Sequence, residues 1–294
     1  LATHNYFILK IKGEKMSTVQ ISASDVNKLR QQTGAGMMDC KKALVEAKGN
    51  FEEAVDYLRK KGAKVAANRQ DRESNEGVVI AKTSADGKKG VIVEVNCETD
   101  FVAKNEDFIA FAENVAKVAV EESPADLDAL KELSIDGTRI ADLIISQTGK
   151  IGEKIDVSNY EVVEAEKVVA YIHSNYRLGV LVGLNADVEG VEEAGKDVAM
   201  QIAAMNPAAI DKEGVDATVV QRELEIAKEQ IRAEGKPEAM LEKIAQGKLN
   251  KFYKDNTLLN QEFVKDPSKN ISQFLDGVSK GLTVTAFKRV QLGA

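Results

Sequence analysis

Few residues in this 294-residue chain could carry covalent chemistry. It has two cysteines, Cys40 and Cys97, two histidines, His4 and His173, and no tryptophan. A thiol attacking with imidazole help would need Cys97 as nucleophile and His173 as base. Against that dyad, Cys97 ends a strand-like run, where a small apolar side chain is the ordinary occupant. The lack of a CxxC pair speaks against a zinc ribbon or disulfide scaffold, and the cysteine usage suits a reducing cytosol. The other candidate is Thr99-Asp100-Phe101-Val102, an aromatic ring beside a carboxylate between a strand end and a helix start. Loops mounted on rigid elements commonly carry contacts. Two readings stand: a contact site, or Asp100 as a plain helix cap with Phe101 as its hydrophobic staple.

The elements that would position these residues follow from patterning. Ser22 with Asp25 approximates a capping box for a first helix with Val26 and Leu29 inward, stopped at Gly34-Ala35-Gly36. Asp39–Ala47 reads as a second helix. Asn50 caps a third that buries Phe51, Ala54, Val55 and Leu58 and ends before Gly62. The β-branched runs 77–83 and 90–96 around Asp86-Gly87 predict a hairpin. Phe108, Phe111, Ala112, Val115 and Ala119 then recur at helical steps up to Pro124. The same order returns: strands at Lys167–His173 and Gly179–Asn185, then a helix through Val191, Ala194, Val198 and Ile202. Gly-Val-Ile-Val-Glu-Val-Asn at 90–96 nearly repeats as Gly-Val-Leu-Val-Gly-Leu-Asn at 179–185, which reads as an internal duplication. Val220, Leu224, Ala227 and Ile231 form a heptad seam, and Gly235-Lys236-Pro237 separates it from a helix with Leu241, Ile244 and Phe252. Thr283–Phe287 is a last strand candidate.

The expected class is therefore α+β. Residues 1–15 read as a leader or appended extension before Met16, 16–63 as a three-helix domain and 64–76 as a charged helical or flexible linker. Residues 77–160 read as the first half of a duplicated core. Residues 161–294 form the second half, with a helical hairpin, a coiled coil, at 217–252. Forty Lys+Arg against 47 Asp+Glu give a net charge of −7, which disfavours a nucleic-acid binder that works through phosphates. Apolar runs such as Val180–Leu184 fall far short of the roughly 20 residues that span a bilayer. A cytoplasmic chain without a membrane segment is expected.

Longer motifs carry a resemblance. Ile21–Arg30, Thr33–Leu44, Glu94–Lys104, Tyr171-Ile172-His173 with Arg177–Val182, and Ile202–Pro207 are similar, in order, to bacterial translation elongation factor Ts. The resemblance implies a first bundle like ubiquitin-associated domains that docks on the GTPase domain of elongation factor Tu. Arg30, Met37 and Met38 match contact positions, the alternative being that one methionine is buried in the bundle. It implies that Thr99, Asp100, Phe101 and Val102 disturb magnesium coordination in the partner and so weaken its hold on GDP. Asp100 would fix the loop or bond the partner's displaced backbone, not ligate a metal. His173 matches a strand-end position, with Ser174 departing from the family pattern beside it; it is carried as a further contact, the alternative being a structural polar residue. The resemblance implies no enzyme activity, no cofactor or metal of its own, no direct nucleic-acid contact, and a homodimer through the helical hairpin as an option. A rival reading keeps the bundle and hairpin as a dimerising adaptor without exchange activity; it predicts that Phe101→Ala leaves nucleotide release unchanged.

Overall fold

The computed structural model describes residues 21–235 and 237–293, apart from the side chains of Glu238 and Ala239. The expected leader and the start at Met16 lie outside the described residues.

Ser22 opens the first helix as its spacing predicts. Its hydroxyl accepts from the Asp25 amide at 3.1 Å while the Asp25 carboxylate takes the Ser22 amide, a full capping box. Helix α1 (Ala23–Thr33) packs with α2 (Met37–Glu46) and α3 (Phe51–Arg69) around Val26, Leu29, Cys40, Leu44 and Ala54. Asn50 caps α3 by accepting from the Glu52 and Glu53 amides.

Two expectations are corrected here. Helix α2 begins at Met37, ahead of Asp39, so both methionines lie in its first turn. Helix α3 does not end before Gly62 but runs on to Arg69, making the start of the expected 64–76 linker part of the same rod. Gly62 is buried because another helix crosses it, and the alanines around it favour continuation.

Strands β1 (Glu76–Thr83) and β2 (Lys89–Cys97) form the predicted antiparallel hairpin. The chain continues through α4 (Asp100–Ala103), α5 (Glu106–Glu122) and α6 (Leu127–Glu132). A two-residue ribbon, β3 (Ser134–Ile135) with β4 (Thr138–Arg139), leads into α7 (Ile140–Ile151). Strand β5 (Asp156–Glu164) then pairs along β2. The sequence reading missed this strand and placed a half-boundary at 160/161, inside it. The chain changes sheets only at Ala165-Glu166, whose Ala165 amide donates to Lys88 O in the β1–β2 turn.

The second half repeats the scheme. Strands β6 (Lys167–His173) and β7 (Leu178–Leu184) are followed by α8 (Val191–Met205). Helices α9 (Ala217–Ala233) and α10 (Glu238–Asn256) follow, and their buried pairs Ile231 with Leu241 and Ala227 with Ala245 give an antiparallel hairpin. Backbone bonds from Ala208 to Asn256 O and from Leu258 to Ala209 O close its base. Strands β8 (Glu262–Phe263) and β9 (Asp266–Asn270), α11 (Ile271–Val278) and β10 (Val284–Gln291) complete the chain. The sheet orders are β1-β2-β5 and β6-β7-β10 (read outward from β6), so each hairpin receives its third strand on the same side.

Alternation along the strands builds four layers. Val78, Ile80, Val91, Val93 and Val95 face α5 and α7, and Val180, Val182 and Leu184 face α8 and α11. Val79, Ile92, Val168 and Leu181 meet between the sheets. The glycines that begin each repeat explain their own recurrence. A Cβ on Gly90 would lie 2.8 Å from a Leu181 methyl, and one on Gly179 would lie 2.7 Å from a Val79 methyl. Each glycine thus makes room for side chains of the opposite sheet, Val168 and Leu181 over Gly90 and Val79 over Gly179. Among the described residues, no helix is long and apolar enough to cross a membrane.

Candidate functional site

Strand β2 ends in a buried thiol. Cys97 Sγ donates to Thr99 O at 3.2 Å, and burial first, then the nearby Glu153 carboxylate, pushes its pKa up to about 12. His173 stands exposed at the end of β6, its Nδ1 on the Tyr171 hydroxyl at 2.8 Å. Each partner of the suggested dyad is engaged elsewhere, and the thiol is held in its protonated, unreactive form.

Past Cys97 the chain turns into α4. Thr99, not Asp100, is the N-cap: its hydroxyl accepts from the Val102 amide at 3.5 Å. That corrects the plain capping reading of Asp100. The carboxylate of Asp100 instead accepts from Lys104 Nζ at 2.6 Å, and this bond holds it below the usual carboxylate range. Val102 and Ala103 lean on the core under β1 and β2. Phe101 points away and is 83% exposed, so it is no hydrophobic staple. Asn105 immediately caps α5, accepting from the Asp107 and Phe108 amides. The ring therefore sits on a single helical turn bounded by a cap on either side.

What holds that turn comes from outside the motif. Glu153, on the α7–β5 connection, accepts from the Glu98 and Thr99 amides at 3.1 and 3.0 Å and from the Thr99 hydroxyl at 2.7 Å. Glu98 in return accepts from the Lys154 amide at 2.7 Å and from Arg69 and Arg72 at 2.9 and 3.1 Å. Burial pushes the Glu98 carboxyl up, but these bonds outweigh it and hold it below its ordinary value. Sequence reasoning missed Arg69, Arg72, Glu98, Glu153 and Lys154. Glu98 adjoins the motif, but the others are far away along the chain, and only the folded structure joins them.

The remaining expected residues fall in two places. The tip after His173 carries Ser174, Asn175 and Tyr176, all with positive φ. Tyr176 O accepts from the Val79 amide at 2.7 Å, and Arg177 pairs at 2.8 Å with Glu76, the residue opposite Cys97. His173 and the Thr99–Val102 turn thus belong to one end of the sheet pair. Arg30 is exposed in the last turn of α1, and Met37 and Met38 are 55% and 76% exposed on α2. Neither methionine serves the bundle core. The structure links this face to the turn through α3, whose end carries Arg69.

Among the described residues, no group of three or more His, Cys, Asp or Glu could hold a metal ion. The arrangement leaves an apolar ring, an acid and a methionine face open to solvent. The family model for elongation factor TS matches residues 98–294. The elongation factor Ts of Cytophaga hutchinsonii is 58% identical over 279 residues, which covers 94% of this chain and 100% of that protein. The elongation factors Ts of Christiangramia forsetii and Amoebophilus asiaticus are 53% and 54% identical, each over 93% of this chain and 99% of their own length. With relatives this similar matched along almost their whole length, the chain belongs to the elongation factor Ts family.

Proposed function

We propose that the Thr99–Val102 turn is the element with which this chain loosens GDP from elongation factor Tu. Family membership makes the chain a guanine nucleotide exchange factor of translation, with Tu as its partner. The observation that carries the assignment to this turn is the exposed Phe101 ring on an anchored, capped support. A GTPase of Tu's kind holds its nucleotide through backbone amides and a magnesium ion bridging phosphate oxygens. A ring driven between the elements that supply them disfavours the occupied state. Linkage then requires GDP to weaken the factor by the same ratio as the factor weakens GDP. Asp100, already ionised beside Lys104, supplies an acceptor for partner backbone amides. Met37, Met38 and Arg30 supply a second contact on the bundle, the role that its likeness to ubiquitin-associated domains implies. His173, at the same end as the turn, supplies a third. Ile226 and Met240, exposed on the helical hairpin, support its use as a further contact or self-association surface.

The test is release of fluorescent GDP from Tu by the parent chain and by Phe101→Ala. Burying a phenylalanine contributes about 1.5–3 kcal/mol, so the variant is expected to release GDP on the order of 10- to 150-fold more slowly. Because the ring is exposed in the free chain, its melting temperature should not fall. Unchanged release would refute the assignment of exchange to this turn.

A further inference from the structure

Helix α4 is a single turn, and a turn that short does not hold itself, because helix nucleation is unfavourable. Its geometry is imposed by two carboxylates, each of which bonds backbone amides in the other's segment. Glu153 takes the Glu98 and Thr99 amides and the Thr99 hydroxyl, while Glu98 takes the Lys154 amide. Charge-assisted bonds of 2.7–3.1 Å are among the stronger ones proteins make. The staple is also tied to α3. Arg69 reaches both Glu98 oxygens at 2.9 Å, and Lys154 Nζ reaches Gln70 O and Arg72 O at 2.9 Å each. From this geometry we infer that Glu153 is a positioning residue for nucleotide exchange: with Glu98 and Arg69 it fixes the presentation of Phe101 and carries the placement of the first three helices to it.

The inference rests on the reading of Phe101 as the exchange element. Glu153 touches neither the ring nor the surface it would enter; it acts through the backbone of Glu98 and Thr99. A contact group held in its bound geometry avoids an ordering cost on association. Without the staple, the ring would have to be ordered at the moment when the partner's nucleotide site opens. Docking on GDP-bound Tu through the bundle would not sense that loss.

The experiment compares full-length parent, Glu153→Ala, Glu153→Gln, Thr99→Val and Phe101→Ala. It measures affinity for GDP-bound Tu, the GDP release rate at saturating factor, and melting. Glu153→Ala is expected to slow saturated release about tenfold, within the range by which residues touching neither ligand alter coupling. Its affinity for GDP-bound Tu should stay within about threefold of the parent, a change too small to account for that slowing. Glu153→Gln should recover most of the rate, since its carbonyl still accepts from both amides and the Thr99 hydroxyl can turn to accept from the new NH₂. Thr99→Val removes, at constant size, one bond of the staple and the α4 cap bond to the Val102 amide; it should fall between the two, and a parent release rate in it would overturn the inference should Glu153→Ala fold poorly. Release at the parent rate by Glu153→Ala, or losses of release and of GDP-bound affinity in equal measure, would overturn the inference. If Phe101→Ala is slow while Glu153→Ala is fast, the staple alone is wrong. If Phe101→Ala releases GDP at the parent rate, the reading of the turn fails and the staple's role falls with it.

Discussion

Two glycines face each other where α3 crosses α7, and replacing them one at a time should have unequal effects. Both lie inside helices and neither has positive φ, so alanine gains about 1 kcal/mol of helix propensity at either site. Space separates them. A Cβ on Gly62 would meet Gly149 Cα and Ile145 O at 3.6 Å, an ordinary contact. A Cβ on Gly149 would lie 2.5 Å from Gly62 Cα, and relieving it needs a helix shift of about 1 Å. Overpacking of that kind costs about 1–3 kcal/mol. The propensity gain is common to both variants, so Gly149→Ala should be about 1–3 kcal/mol less stable than Gly62→Ala. At about 2 °C per kcal/mol for a chain of this size, calorimetry should place its melting about 2–6 °C lower. The shift also draws Arg69, at the end of α3, away from Glu98. Gly149→Ala should therefore release GDP from Tu more slowly, while Gly62→Ala releases it at the parent rate. Gly149→Ala melting at or above Gly62→Ala would refute the steric reasoning.

The raised pKa of Cys97, about 12, leaves about one thiol in ten thousand ionised at pH 8. Iodoacetamide followed by mass spectrometry should find it unlabelled in the native chain and labelled after unfolding; labelling at the rate of a free thiol would contradict its burial. Glu98, held below its ordinary value, should stabilise the chain fully above its unfolded pKa near 4.3 and lose that contribution as pH falls through the lowered folded value. The melting gap between parent and Glu98→Gln should be constant above about pH 5 and close at lower pH. A gap that widens toward acid would give the shift the wrong sign.

What was legible in the sequence was local. Ser22 with Asp25, and Asn50 with Glu52 and Glu53, are caps decided within one turn, and both form as their spacing predicts. The hairpins and the repeat were legible because strand alternation and a short turn are also near-neighbour properties. Strand β5 was not: Asp156–Glu164 mixes polar with apolar residues and becomes a strand by pairing with β2, more than fifty residues away. Gly62 looked like a helix stop because the residue that makes it useful, Gly149, is distant in sequence. At the candidate site the ring and acid were visible, yet Thr99 and Asp100 are both good caps and adjacent. Only the fold shows which one reaches the Val102 amide. The staple was out of reach, since a lone Glu153 after a helix end has no local signature.

The duplication separates scaffold from function. Both repeats begin with a glycine pressed by the opposite sheet, and both end in an asparagine tied toward the third strand: Asn96 to Ser158, and Asn185 to the Thr283 amide. Up to that point the two halves satisfy the same packing problem in the same way. In the second half the chain then passes through Ala186–Gly190 directly into α8. In the first it adds α4, whose ring is left in water although leaning it on the core beside Val102 would remove apolar area from solvent. Nothing in the sheet pair requires that addition, because its duplicate stands without it. The bonds that hold the addition come from α3 and the α7–β5 connection, which lie outside the repeat. An exposed ring fixed by segments recruited from elsewhere is therefore not explained by the stability of its own sheet. The proposed role in exchange accounts for both: a ring left in water for a partner surface to take, and bonds from α3 and the α7–β5 connection that hold its support in place before that surface arrives.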